Sequence, residues 1–292
     1  MRGFAKSLLL AAVLALGLPA LARADPAMWV VKSKDSTVYL LGTIHALKPG
    51  VHWRSDKLAA AFDASREYWM EADIQEDPAI AGTYVLNFGT DSRHPLSEEL
   101  TPDDYALFLR SVAKQGLGED RVRFVRPWFA TLLLTGQAVG GSGYDSMNGV
   151  DRALETEAKQ VGKTVKTFET PVEQLSFLAH LSPEVERAML VDSLHALRGG
   201  GKPGTDALDA LSAAWLAGDT RRLGAGVAQM RSDSPEMYDV IITRRNAAWV
   251  PKIADLMKTP GTYFIAVGAA HMLGKGGVPE LLKAKGYKVE RY

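Results

Sequence analysis

Cysteine does not occur anywhere in the 292 residues. Its absence excludes structural disulfides, thiolate metal sites, cysteine nucleophiles and lipoprotein attachment together. A charge excess is missing as well. With 34 basic against 34 acidic side chains, the balance argues against nucleic acid or another polyanion as the main partner. Long apolar runs are confined to the beginning. Leu8 to Leu18 is almost wholly apolar, follows the basic Arg2 and Lys6, and leads into Ala22-Arg23-Ala24, whose small residues suit signal-peptide cleavage. A spanning helix needs roughly 20 apolar residues; this run is shorter, and Pro19 breaks it. The expectation is a signal peptide over residues 1–24, removed after Ala24, and a periplasmic or secreted chain over 25–292 with no membrane span. Arg2, Lys6 and Arg23 leave with the leader, so 31 basic and 34 acidic side chains remain. An exported chain without disulfides has to be held by its core, and the remaining length suffices for one large domain.

What is present is an alternation of short β-rich runs with helical stretches. Met28 to Lys32 and Thr37 to Leu41 read as a hairpin around Lys34-Asp35. Arg54 to Ser65 reads as a helix with Leu58, Ala61 and Phe62 on one face, and Glu67 to Glu71 as the next strand. Strand, helix, strand in this order predicts a right-handed crossover and parallel pairing. Helices follow from Thr101-Pro102, from Pro127 and over Val150 to Gln160, and then a strand over Thr164 to Glu169. Further helical stretches run from Pro171 to His180, Pro183 to Leu197, Asp206 to Ala217, Thr220 to Met230, and Pro235 towards Lys258. Thr262 to Val267 is an apolar strand, Gly277 to Lys285 a helix and Tyr287 to Arg291 a closing strand. The glycine runs Gly140-Gly143 and Gly199-Gly204 read as loops, and Pro251 is expected to kink the long helix or restart it near Trp249. Together these give an α/β fold: a mixed, mainly parallel central sheet flanked by helices, with a helical insertion.

The residues just past the strands carry the chemistry. One strand runs into Gly42-Thr43-Ile44-His45, another into Gly268-Ala269-Ala270-His271, and two more end on Glu71 and Glu169. Open α/β sheets place ligands outside the carboxyl ends of their strands, so four strands would bring two imidazoles and two carboxylates to one rim. A glycine directly after a buried strand permits a sharp turn or a close approach without a Cβ clash. With 27 glycines and six histidines, about half a Gly-x-x-His match is expected by chance; two at equivalent strand ends weigh more. Neutral histidines and a carboxylate suit zinc, manganese, cobalt or iron, so His45, Glu71 and His271 are candidate metal ligands and Glu169 a second ligand or general base. On a helical wheel Arg245 shares a face with Tyr238, Ile241, Ile242, Trp249 and Leu256, whereas Arg244 points away. An arginine inside an apolar stripe must find an anion, either a strand-end carboxylate or a substrate. Asn246, at the stripe's edge, is a candidate for orienting a substrate or a neighbouring site group.

These motifs resemble one family. The paired Gly-x-x-His, Trp69-Met70-Glu71, Gly149-Val150-Asp151, Phe168-Glu169-Thr170, Arg245-Asn246 and the stretch Phe264 to Gly274 are similar to the TraB/GumN family, over about Trp29 to Tyr292. The wider superfamily includes Tiki proteins, which resemble metal-dependent peptidases, and erythromycin-esterase-like and ChaN-like haem-binding relatives. The resemblance implies a metal-dependent hydrolase of peptide or small-molecule ester bonds. It allows a non-catalytic haem or iron carrier, or an exopolysaccharide or envelope assembly factor, as alternatives.

Other features are read as structural. His52, His94, His180 and His195 have no comparable context, although His52 lies close enough to the first motif to line an entrance. Gly140-Gly-Ser-Gly143 lacks the Lys-Ser/Thr pair of a phosphate loop. Asp151, at a helix start, is read first as a charge favourable to the helix dipole.

Overall fold

The structure is a computed structural model that describes residues 25–73, 78–198 and 203–292. The expected leader over 1–24 and residues 199–202 of the expected glycine loop lie outside the described residues. Six strands form one sheet: β1 (Met28–Lys32), β2 (Ser36–Thr43), β3 (Glu67–Met70), β4 (Thr164–Thr167), β5 (Gly261–Gly268) and β6 (Val289–Arg291). Their order across the sheet is β4-β3-β5-β2-β1-β6. The contacts β4 to β3, β3 to β5 and β5 to β2 are parallel, while β1 pairs antiparallel with both β2 and β6. The expected α/β architecture with a mixed, mainly parallel sheet is therefore present.

The interleaving of β5 departs from the simplest expectation. The helix Asp56–Ala64, capped by the Ser55 side chain accepting from the Leu58 N–H, joins β2 to β3, yet those strands are separated by β5. The reason is burial. Tyr263, Phe264, Ile265, Ala266 and Val267 are all 0–1% exposed, and a strand apolar on both faces belongs at the centre of a covered parallel sheet. Alternate residues feed two cores: Phe264 and Ala266 join Leu41, Phe62, Tyr68 and Trp215 on one face, while Tyr263, Ile265 and Val267 join Val38, Leu40, Trp249 and Leu282 on the other. Burial of a large apolar side chain stabilises by about 1.5–3 kcal/mol, so the two faces fix the register of β5 firmly.

A third core lies away from the sheet, among helices and their connections. Phe108, Val112, Leu134, Leu190 and Leu194 close it, on the helices Pro102–Ala113, Pro127–Gly141 and Pro183–Arg198. This is the helical insertion. The helix Pro78–Phe88 was not foreseen; its sequence carries no charge and no helix-phase stripe. Gly140 and Gly141 finish a helix and do not form a loop, the turn coming at Gly143 with φ +81°.

The expected break at Pro251 also falls elsewhere. The helix Arg244–Leu256 runs on through Pro251, and the departure from α geometry is a π turn at Asp239–Thr243 just before it. Pro251 and Ala247, whose carbonyl loses its partner, are both on the exposed side, where water satisfies that oxygen. Among the described residues no helix is long and apolar enough to cross a membrane.

Candidate active site

The four parallel strands end on one edge. Thr43 of β2 lies beside Gly268 of β5, and Met70 of β3 beside Thr167 of β4. A bond from the Glu169 N–H to the Glu71 carbonyl, 2.8 Å, extends the last pair beyond the strands. His45, Glu71, Glu169 and His271 thus emerge together, as the strand-end pattern predicts.

The glycines act through close approach. Gly268 has an ordinary φ of −48°, so no special turn requires it. A Cβ there would lie 2.9 Å from His45 Nε2 and 3.1 Å from Glu71 Oε1, and one on Gly42 would lie 2.9 Å from the Ala269 Cα. The Gly268 N–H instead donates to Glu71 Oε1 at 2.7 Å.

Arg245 is the hub. Its side chain is 5% exposed, whereas that of Arg244 is 68% exposed. Nε and Nη2 grip both Glu169 oxygens at 2.9 and 2.8 Å, and Nη2 also donates to Glu71 Oε2 at 2.5 Å. Nη1 reaches the Ile241 carbonyl at 3.4 Å and His271 Nε2 at 3.2 Å. Two buried carboxylates share one guanidinium, with further donors completing them: Trp249 Nε1 to Glu169 at 2.8 Å and Gln174 Nε2 to Glu71 at 3.0 Å. This satisfies the condition under which buried charges are tolerated. Burial raises the Glu169 carboxyl against the pull of Arg245.

The two histidines are held differently. His271 is buried, and its Nδ1 lies 2.7 Å from Asn246 Oδ1. Asn246 Nδ2 donates to the carbonyls of His271 and Gly276, so its oxygen must face the ring and Nδ1 must carry the proton. Nε2 is left with a lone pair 3.7 Å from Glu71 Oε1. Burial, helped by the Arg245 charge, lowers His271 to about 4 against the attraction of Glu71, so the ring is neutral at ordinary pH. His45, 60% exposed, puts Nδ1 3.1 Å from Asp151 Oδ1 and Nε2 4.0 Å from the same Glu71 oxygen. Partial loss of hydration opposes the charged form, but Asp151 and Glu71 outweigh that and raise it to about 9. The open face of the ring lets water screen part of this pull. Burial likewise opposes the charge of Glu71, yet its neighbours His271, Arg245 and His45 and the Gly268 N–H hold it down at about 2. With His271 neutral, Arg245 is the buried attraction that persists.

A cavity of about 360 Å³ opens on this edge. His45, Glu71, Asp151, Arg152, Gln174 and Met147 are among its walls. His271, Glu169, Arg245, Asn246 and His52 do not line it; the first four are buried. Sequence reasoning missed Gln174 and ranked a site role for Asp151 second to its helix-dipole role. Gln174 directly follows Glu173 of the capping box, one turn past the N-cap Thr170, on a helix that runs from the Glu169 strand end and brings its amide to Glu71. Asp151 does occupy the first turn of its helix, but its carboxylate also meets His45; Gly149-Val150-Asp151 was the available signal.

A mixed α/β sheet whose parallel strand ends bring paired glycine-spaced histidines, two carboxylates and a buried arginine to one cavity defines the class of protein. The chain belongs to the TraB/PrgY/gumN family, whose sequence pattern matches residues 27–291. It is similar to the uncharacterized protein YbaP of Escherichia coli (strain K12), 29% identical over 156 residues that make up 53% of this chain and 56% of YbaP. The protein of the same name from Shigella flexneri is similar to the same extent. The match spans about half the length of these curated relatives. No solved structure matches the chain.

Proposed function

We propose that the chain is an exported hydrolase of peptide or ester bonds that works with a divalent transition metal, manganese, cobalt or zinc, held by His45, Glu71 and His271. One observation carries this reading: both Nε2 atoms face the same Glu71 oxygen, at 4.0 and 3.7 Å, while an oxygen acceptor holds each Nδ1. Imidazole lone pairs with a carboxylate are a donor set for these ions once His45 gives up the proton that Asp151 and Glu71 favour on it, and acceptors on the far ring nitrogens are what orient such ligands. Among the described residues no group of three His, Cys, Asp or Glu is drawn up as a metal site. Four bonds of about 2.1 Å place neighbouring donors about 3.4 Å apart, against 4.0 and 3.7 Å from the two Nε2 atoms to Glu71 Oε1 here. Arg245 Nη1 would also have to release His271 Nε2. When bound, such an ion supplies Lewis-acid polarisation of a carbonyl and a nucleophile at neutral pH.

The chain's own residues divide the remaining work. His45, open to the cavity, is the histidine that meets substrate. Glu169 has both oxygens engaged by Arg245 and Trp249, which supports a positioning role for it over that of a base. Arg245 fixes Glu71, and Asn246 fixes His271. The haem alternative has less support, because Glu71 stands at the point both imidazoles face, where a macrocycle would have to pass.

The test is turnover of peptide and ester libraries with Mn²⁺, Co²⁺ or Zn²⁺, beside metal analysis of the purified protein and of a His45→Ala/His271→Ala variant. One ion per chain and turnover are expected, both lost in the variant. Bound metal without turnover of any substrate would remove hydrolysis from the reading; no metal after repletion would remove the ion.

A further inference from the structure

The segment around Gly149-Val150-Asp151 is fastened to the loop that carries His45 at every level. Leu47 and Asp145 exchange backbone hydrogen bonds at 3.3 and 3.0 Å, and the Val150 N–H donates to the Ile44 carbonyl at 3.0 Å. Gly149 comes so close that a Cβ on it would lie 2.5 Å from the His45 carbonyl oxygen. Behind it, the Asp151 carbonyl accepts from the buried Tyr68 hydroxyl at 2.9 Å, which ties the helix start to β3. The outcome is an Asp151 carboxylate, its side chain 20% exposed, 3.1 Å from His45 Nδ1. A dipole-favouring charge at a helix start needs none of these attachments.

We propose that Asp151 is a positioning residue of this site: its carboxylate accepts from the Nδ1–H of His45, fixes the ring in that form and turns Nε2 towards Glu71. Among the described residues Asp151 is the hydrogen-bond partner of the His45 ring, and that ring is the less enclosed of the two. His271 is packed against Trp249 with ring centres 4.5 Å apart and is clamped by Asn246, whereas His45 is open to the cavity. An imidazole with one fixed nitrogen presents a single lone pair in a defined direction, while a free ring populates both forms and several rotamers. The effect on the ring is independent of the hydrolase reading; its effect on metal affinity and turnover rests on that reading.

The experiment compares the full chain with Asp151→Ala and Asp151→Asn, using ¹⁵N-histidine labelling and long-range ¹H–¹⁵N correlation at a pH where the ring is neutral. His45 is assigned by the loss of its signal in His45→Gln. The wild type and Asp151→Asn, whose amide oxygen still accepts, are expected to show the Nδ1–H form, and Asp151→Ala a shift to the Nε2–H form or a mixture. An Nε2–H ring in the wild type, or an unchanged Nδ1–H ring in Asp151→Ala, overturns the proposal. Cobalt titration of the same proteins reads the consequence: about 10–100-fold weaker binding in Asp151→Ala, with recovery in Asp151→Asn. Failure of the wild type to bind cobalt counts against the metal reading alone, since the ring spectra decide the role of Asp151 without it.

Discussion

Replacing Arg245 with methionine keeps most of the side-chain volume and removes the charge that two buried carboxylates share. Removing one partner of a buried pair costs about 3–5 kcal/mol, because the remaining charge is stranded. Here the stranded groups keep other donors: Glu71 retains the Gly268 N–H and Gln174, and Glu169 retains Trp249. Glu169 is also raised by burial even beside Arg245, so it can take up a proton once the guanidinium is gone. Both points place the loss near the lower end, about 3 kcal/mol. For a chain of this size the melting temperature should fall by about 6–12 °C. Urea unfolding and calorimetry measure it. The companion Arg245→Met/Glu169→Gln should recover at least about 1 kcal/mol, since a glutamine oxygen accepts from Trp249 without a charge. The pH dependence has a definite sign. A carboxyl raised in the folded state binds its proton more tightly when folded, so its contribution is full below the ordinary carboxylate range and is lost as pH rises through the raised value. With Arg245 removed the rise is larger, and the deficit of the variant should widen as pH rises above the ordinary carboxylate range. A loss under about 1 kcal/mol, or no recovery in the double variant, would refute the account of Arg245 as a buried bridge.

Three further outcomes follow from the same geometry. Gly268→Ala inserts a methyl 2.9 Å from His45 Nε2, whose open ring can swing away, and 3.1 Å from Glu71 Oε1, which has only a few tenths of an ångström to give; stability should fall by about 1 kcal/mol while turnover falls by about 10²-fold, as a melt and a rate comparison would show. Gly149→Ala meets backbone, 2.5 Å from the His45 carbonyl oxygen, and should instead lose about 1–3 kcal/mol in urea unfolding; a neutral result would mean the two segments are not tightly joined. Asn246→Ala, at a position with 0% exposure, strands the His271 Nδ1–H and releases the bonds to two carbonyls. Its cost should be about 2–4 kcal/mol by denaturation, and a cost near zero would contradict the orientation assigned to the amide.

Local chemistry made much of this molecule legible. Prolines and threonines marked helix starts, as at Thr101-Pro102 and Thr170-Pro171, and alternation with apolar runs marked the strands, because one-dimensional periodicity records which side of an element is buried. Arg245 was legible for the same reason: its place in an apolar stripe required an anion, and both strand-end carboxylates supply one. The helix Pro78–Phe88 was not, because an uncharged run without a stripe gives no phase to read. Pro251 misled because the consequence of a missing N–H depends on whether the freed carbonyl faces core or water, which is a property of the packed helix.

By itself the sequence determined the order of the strands and of most helices, the delivery of His45, Glu71, Glu169 and His271 by the ends of separate strands, and the family. Tertiary structure alone decided that β5 enters between β2 and β3, that Arg245 bridges both carboxylates, that Gln174 reaches Glu71, and that Asp151 faces His45 and not only its own helix. The physical reason is range: burial periodicity and capping act within a few residues, whereas the partners in this site lie 25 to 197 positions apart in sequence, and only packing of the two sheet faces brings them within 3 Å or so of one another.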